Sequence, residues 1–273
     1  MPTVDRAGRT IHFTRDGSGP AVVLVPGLGS GARLFGTLPR RFARAGFTCV
    51  AVDPVGLPPS SPLPAGAFDF GAAAADVRAV AATLPRPVTL VGTSLGGKVA
   101  LTAAGLPELA NSGVAALCLV CSSAMPTARS LRVYRWFELL AGAVAGELLG
   151  ELTAPFLFGA TFLRERAALV DDILRAMRPT AESSAFMLAQ ARALQTFDGT
   201  ATARHCPLPT LCLGGAEDTL TLPEEVAATA AIMPTGRLLT IPAAGHSLLL
   251  ESAAAFDAIA TWARDPGGLS AAR

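Results

Sequence analysis

Short runs of apolar residues alternate along most of this chain with stretches whose apolar positions recur every three or four residues. Thr10–Thr14, Ala21–Val25, Phe47–Val52, Val88–Val91, Val114–Cys121, Leu208–Leu213 and Arg237–Ile241 read as strands. Residues 32–45, 70–84, 94–106, 223–233 and 251–263 read as helices. Strands that are mostly apolar rather than alternating belong in a parallel sheet covered on both faces, so the pattern predicts an α/β fold. The turn-rich stretch Arg15–Pro20 predicts a hairpin between the first two strands. The alternation stops between residues 125 and 204, where only helical spacing is found, as in Tyr134, Phe137, Ala141, Val144 and Leu148. The predicted organisation is an α/β core of residues 1–124 and 201–273 with a helical insertion at 125–200. Residues 264–273 read as a loose tail.

Composition narrows the function classes. The chain has 273 residues, 51% of them hydrophobic and 16% charged, which excludes intrinsic disorder. A formal net charge of +1 provides no field to draw in nucleic acid or an anionic membrane. Mean hydropathy is +0.46. The longest apolar runs still fall well short of the ~20 residues a membrane span needs. The N-terminal MPTVDRAGRT carries no hydrophobic signal-peptide core, so a cytoplasmic location is expected. Of the five cysteines, Cys118 and Cys121 spell CxxC within a strand, where alternation points them to opposite faces. No second pair or nearby histidine completes a metal site, and buried reduced thiols are expected.

The chemistry concentrates at strand ends. Gly92-Thr-Ser94-Leu-Gly96 follows one strand directly and opens a helix. A serine on such a sharp turn projects its Oγ above the sheet, and the flanking glycines let strand and helix approach closely. The helix N-terminus contributes free N–H groups that favour a developing oxyanion. Such a hydroxyl needs a base. His12 sits in the first β-run, where it is expected to be remote from the C-terminal edge of the sheet. His205 precedes a strand, at the opposite edge. His246 follows Arg237–Ile241 and lies where ligands bind in open α/β sheets. An orienting carboxylate stands in Gly214-Gly-Ala-Glu-Asp218, after another strand; Asp218 is preferred and Glu217 competes. Lys98, the only lysine, is expected to be solvated.

The chain order Ser94, Asp218, His246 resembles that of the serine α/β-hydrolase family, esterases and lactonases with a helical cap. The likeness covers about residues 10–263. It rests on the GTSLG elbow, on Val25-Pro-Gly-Leu-Gly as an oxyanion loop, on Gly215-Ala-Glu-Asp218, and on Ala244-Gly-His246 with Glu251. Pro26 stands where many relatives have histidine, and the loop after Asp53 departs from the usual Asp-x-x-Gly-x-Gly-x-Ser. The resemblance implies an α/β-hydrolase fold, a mostly parallel twisted sheet flanked by helices, with residues 125–200 as a cap. It implies Ser94 as nucleophile, His246 as base, Asp218 as its partner, and Leu28 and Leu95 N–H groups as the oxyanion hole, with no metal or cofactor.

The function this implies is hydrolysis of carboxylic esters or lactones of small apolar molecules through an acyl-enzyme. Two other readings stay open. A thioesterase would use Arg129, Arg132 and Arg135, spaced along one helix face, against a phosphate-bearing carrier, although a solvated charged face is the preferred reading of the three. A lyase or cyclase would use the same triad as acid and base. Six of the 13 phenylalanines fall within 125–200. Among them Phe156, Phe158 and Phe162, around Gly159, are the candidates for facing the substrate.

Overall fold

A computed structural model describes residues 2–144 and 146–267. Eight strands form one sheet: β1 Thr3–Arg6, β2 Arg9–Asp16, β3 Ala21–Val25, β4 Thr48–Asp53, β5 Val88–Thr93, β6 Val114–Val120, β7 Thr210–Gly215 and β8 Gly236–Ile241. Their spatial order is β1-β2-β4-β3-β5-β6-β7-β8. Pairing is parallel from β4 through β8 and antiparallel on either side of β2.

This order corrects the hairpin predicted at Arg15–Pro20. β2 and β3 follow each other in sequence, but β4 lies between them. The true hairpin joins β2 to β1, a half-exposed edge strand with no apolar run to announce it. Its tight turn is Ala7-Gly8, both at positive φ, as two-residue hairpins require.

The central strands are buried because both faces are covered. Val23, Val25, Val50, Val52 and Leu90 join one core cluster with residues of α2 (Phe70–Ala81), α3 (Leu95–Gly105) and α10 (Pro223–Ile232). Val22, Leu24, Cys49, Ala51 and Val91 join another with residues of α1 (Leu38–Arg44), α11 (Leu248–Glu251) and α12 (Ala253–Arg264). The period-2 alternation of strand side chains divides them. Each buried aliphatic chain contributes about 1.5–3 kcal/mol.

Helix ends follow local chemistry. The helix expected over 32–45 breaks at Gly36, whose φ of 49° ends a 3₁₀ turn before α1 begins. The helix expected over 251–263 divides at Ser252 into α11 and α12. Arg264 closes α12, and residues 268–273 of the expected tail lie outside the described residues. Between β6 and β7 the chain runs through α4 (Ala128–Ala143), α5 (Glu147–Leu157), α6 (Ala160–Glu165), α7 (Ala167–Ala176) and α8 (Ala181–Leu194), then the short α9 (Thr200–Arg204). Thr127 and Thr180 start α4 and α8 with reciprocal side-chain caps. Among the described residues, no helix is long and apolar enough to cross a membrane.

Candidate active site

The turn after β5 is strained at one residue. Ser94 sits at φ 52°, ψ −118°, where a side chain is costly, and its N–H is held by Val120 O at 2.8 Å. The glycines around it have no room for a Cβ. One at Gly97 would lie 2.5 Å from the Ser122 Cβ, one at Gly96 2.5 Å from Pro26 O, and one at Gly92 would run into the Gly96 carbonyl. Leu95 is the first residue of α3, and its N–H has no hydrogen-bond partner among the described residues. The Leu28 N–H, in the loop after β3, is likewise free of any such partner. The next residue, Gly29, is held by its N–H to Gln190 Oε1 of α8 at 2.7 Å.

After β7 the two neighbouring acids diverge. Asp218 is buried; its Oδ1 accepts N–H groups from Leu220 at 2.8 Å and Thr221 at 2.9 Å, and its Oδ2 lies 2.8 Å from His246 Nδ1. A carboxylate facing Nδ1 selects the tautomer with the proton there, leaving the Nε2 lone pair free to take a proton. No hydrogen bond joins Ser94 Oγ to His246 Nε2, though both residues line the same cavity. Glu217 turns the other way, accepting from Thr161 N–H at 2.8 Å and Thr161 Oγ1 at 2.6 Å. Those bonds hold its carboxyl below the usual range.

The histidine loop is tied to the helical insertion. Glu251 Oε2 accepts from Gly245 N–H at 2.7 Å and from Gly159 N–H at 3.0 Å, and Ser247 N–H donates to Leu157 O at 2.7 Å. Burial raises the Glu251 carboxyl, partly offset by the N–H groups it accepts. Cys121, Asp218 and His246 offer donor atoms within 4.8 Å of one another, the one such group among the described residues. Burial, reinforced by the Asp218 charge, keeps Cys121 a protonated thiol. All five cysteines are free and buried. Cys121 lies beyond the end of β6 at φ 49°, so strand alternation stops short of it; it shares a core cluster with Cys118 rather than facing away.

A model of the alpha/beta hydrolase family matches residues 22–259. The chain belongs to the alpha/beta hydrolase family. A thermophilic esterase from Thermogutta terrifontis is similar in structure, with a TM-score of 0.81, 25% identity and 97% of each chain covered. An enol-lactonase from Burkholderia xenovorans shares the fold, with a TM-score of 0.80 at 18% identity, over 97% of this chain and 99% of that one. A polyketide synthase, ThaQ, of Burkholderia thailandensis is 31% identical over 92% of this chain, which spans 12% of ThaQ.

In this alpha/beta hydrolase, Ser94, His246 and Leu28 line one cavity of about 240 Å³. Its roof comes from the inserted helices, through Tyr134, Phe137, Phe158 and Met187. The three phenylalanines expected to face substrate separate here. Phe158 is buried and lines the cavity. Phe162 does not; it stacks behind Phe158, with ring centroids 5.8 Å apart at 15°. Phe156 is 41% exposed and rests on Trp136. Phe156 lies inside Glu147–Leu157, which is helical despite Pro155, whereas Phe158 follows the helix in extended backbone at φ −113°, ψ 143°, so the two rings leave the chain in different directions.

Two further expectations change. Lys98 is buried rather than solvated: Nζ donates to the Ser123 carbonyl and lies 5.0 Å from the Phe197 ring centroid and 5.6 Å from that of Tyr134. It is drawn inward by that carbonyl and by the faces of two aromatic rings from segments distant in sequence. His12 lies at the C-terminal edge of the sheet, not away from it, because antiparallel β2 pairs it with Asp53. Its Nδ1 is 2.7 Å from Asp53 Oδ2, and Asp53 Oδ1 accepts the Ala32 N–H at 2.7 Å, anchoring the segment beyond the loop that carries Leu28. His205 is exposed. Two of the three α4 arginines are taken up internally: Arg129 by the Leu220 and Thr219 carbonyls, and Arg135 by Glu138 at 2.5 Å.

Proposed function

We propose that this alpha/beta hydrolase cleaves carboxylic esters or lactones of small, apolar substrates through an acyl-enzyme. The observation that carries the reading is the His246 Nδ1–Asp218 Oδ2 contact of 2.8 Å in the wall of the cavity that Ser94 lines. Ser94 attacks the acyl carbonyl as His246 Nε2 takes its proton. Leu28 and Leu95 N–H groups receive the oxyanion, which such donors stabilise by several kcal/mol. His246 then protonates the leaving alcohol, and water releases the acid by the same sequence. Residues 125–200 act as a cap, and the apolar cavity beneath them suits an uncharged acyl group.

The test is hydrolysis of p-nitrophenyl acetate and labelling by a fluorophosphonate, in wild type and Ser94→Ala. The wild type turns over and labels; Ser94→Ala loses both while its thermal unfolding is kept. Turnover by Ser94→Ala at the wild-type rate overturns the mechanism.

The identity with a segment of a polyketide synthase supports a second reading, a thioesterase. A higher kcat/KM on an acyl-CoA than on the matching p-nitrophenyl ester would select it.

A further inference from the structure

A second cavity, of about 300 Å³, lies behind the oxyanion loop. Its walls are apolar, from Val25, Pro26, Val52, Phe68, Val77 and Val99, and its outer rim includes the exposed Pro64, Ala67 and Asp69. Leu95 contributes to it as well, so both loops assigned to the oxyanion hole form part of its inner wall.

One polar group at its inner end is unsatisfied. Gln190 lines this cavity and is only 1% exposed. The Gly29 N–H can only donate, so the amide atom 2.7 Å from it is the oxygen and the other is the nitrogen. That Nε2, with two N–H donors, makes no hydrogen bond among the described residues, and the side chain that carries it lines the cavity. At the other end, Asp76 Oδ1 takes Arg6 at 2.9 Å and Arg9 at 2.8 Å, while Arg9 Nε is buried without a partner. Both orphaned groups are donors.

We propose that this cavity is a second binding site, for a neutral and mainly apolar small molecule that offers a carbonyl or ether oxygen to Gln190 Nε2. Apolar walls exclude a strongly hydrated ligand. Two carboxylates, Asp76 and the rim residue Asp69, stand against the two guanidinium groups of Arg6 and Arg9, so the site carries no net positive charge to favour an anion. Occupancy bears on the reaction through Gln190, whose oxygen holds Gly29 beside Leu28, and through the Leu95 side chain. That consequence rests on the functional reading above; the binding itself does not.

The probe is 2-octanone, and the readouts are a co-crystal structure and calorimetric titration of Ser94→Ala, neither of which uses turnover. The expected result is ketone density in this cavity, with its oxygen on Gln190 Nε2, and two binding events in solution. Ala73→Trp, which fills the cavity from α2, removes one event and leaves the other. Gln190→Leu weakens the same event about tenfold, the scale of one lost hydrogen bond. Density confined to the cavity of Ser94, or a single event that Ala73→Trp leaves unchanged, overturns the proposal. A Ser94→Ala enzyme that stays active would instead strike at the functional reading and leave this site standing.

Discussion

Gly159 and Gly245 cross backbone against backbone. A Cβ on Gly159 would lie 2.8 Å from Gly245 N and 2.7 Å from Glu217 Oε2, and a Cβ on Gly245 would run into Gly159. The strand-end loop that carries His246 and the segment that carries Phe158 are thus in direct contact, with Glu251 bonding both N–H groups. The position of the pocket roof and that of the histidine are therefore linked.

Gly159→Ala must force this crossing apart. Overpacking of this kind costs about 1–3 kcal/mol. The expected result is a lower Tm together with a lower kcat on p-nitrophenyl esters, because the displaced loop carries His246. A fall in Tm with kcat unchanged would show that the crossing is structural only.

Asp218→Asn should lower kcat by roughly 10³–10⁴-fold, since the amide favours the wrong imidazole tautomer. Glu217→Gln should cost far less and act through the Thr161 contact, with its loss appearing in stability before rate. Equal losses in kcat would assign the carboxylate role wrongly.

Glu251 should leave a signature in the pH dependence of stability. Its folded-state carboxyl is raised, chiefly by burial, so the native state binds the proton more tightly than the unfolded chain does. Stability from this group is greatest below the unfolded carboxylate pKa and falls as pH rises through the raised folded value. Glu251→Gln should flatten that part of a Tm-against-pH curve. An unchanged slope would show that another group produces it.

Phe158→Ala should shift the preferred acyl length across p-nitrophenyl acetate to octanoate. Each methylene buried in wild type is worth up to about 0.8 kcal/mol until the cavity is full. Phe156→Ala, on the exposed side, should leave the profile as it is. Identical profiles for all three proteins would remove the roof from the account of specificity.

The strands, the elbow and the chain order of Ser94, Asp218 and His246 were legible in the residues, because they depend on local rules. A strand buried on both faces must be apolar throughout, as Val22–Val25 is, and a serine at the tip of a sharp turn needs small neighbours, as Gly92 and Gly96 are. Nothing local separates Glu217 from Asp218. The choice is made by where His246 and Thr161 arrive, and both come from distant segments. Strand order is likewise a long-range outcome: the insertion of β4 between β2 and β3 brings His12 to Asp53, which neighbours in sequence cannot foretell. Lys98 has the spelling of a surface residue and a buried position, because Ser123, Tyr134 and Phe197, all distant in sequence, close around its ammonium. Phe156 falls inside α5 and Phe158 just past its end, and a Pro-interrupted stretch hides that boundary until the helix is seen to form. Gln190 reads as one polar position in a helical repeat; its significance depends on Gly29 taking its oxygen and leaving its nitrogen facing an apolar cavity. Local sequence carries periodicity and turn chemistry, whereas contacts between distant segments arise only once the chain has closed on itself.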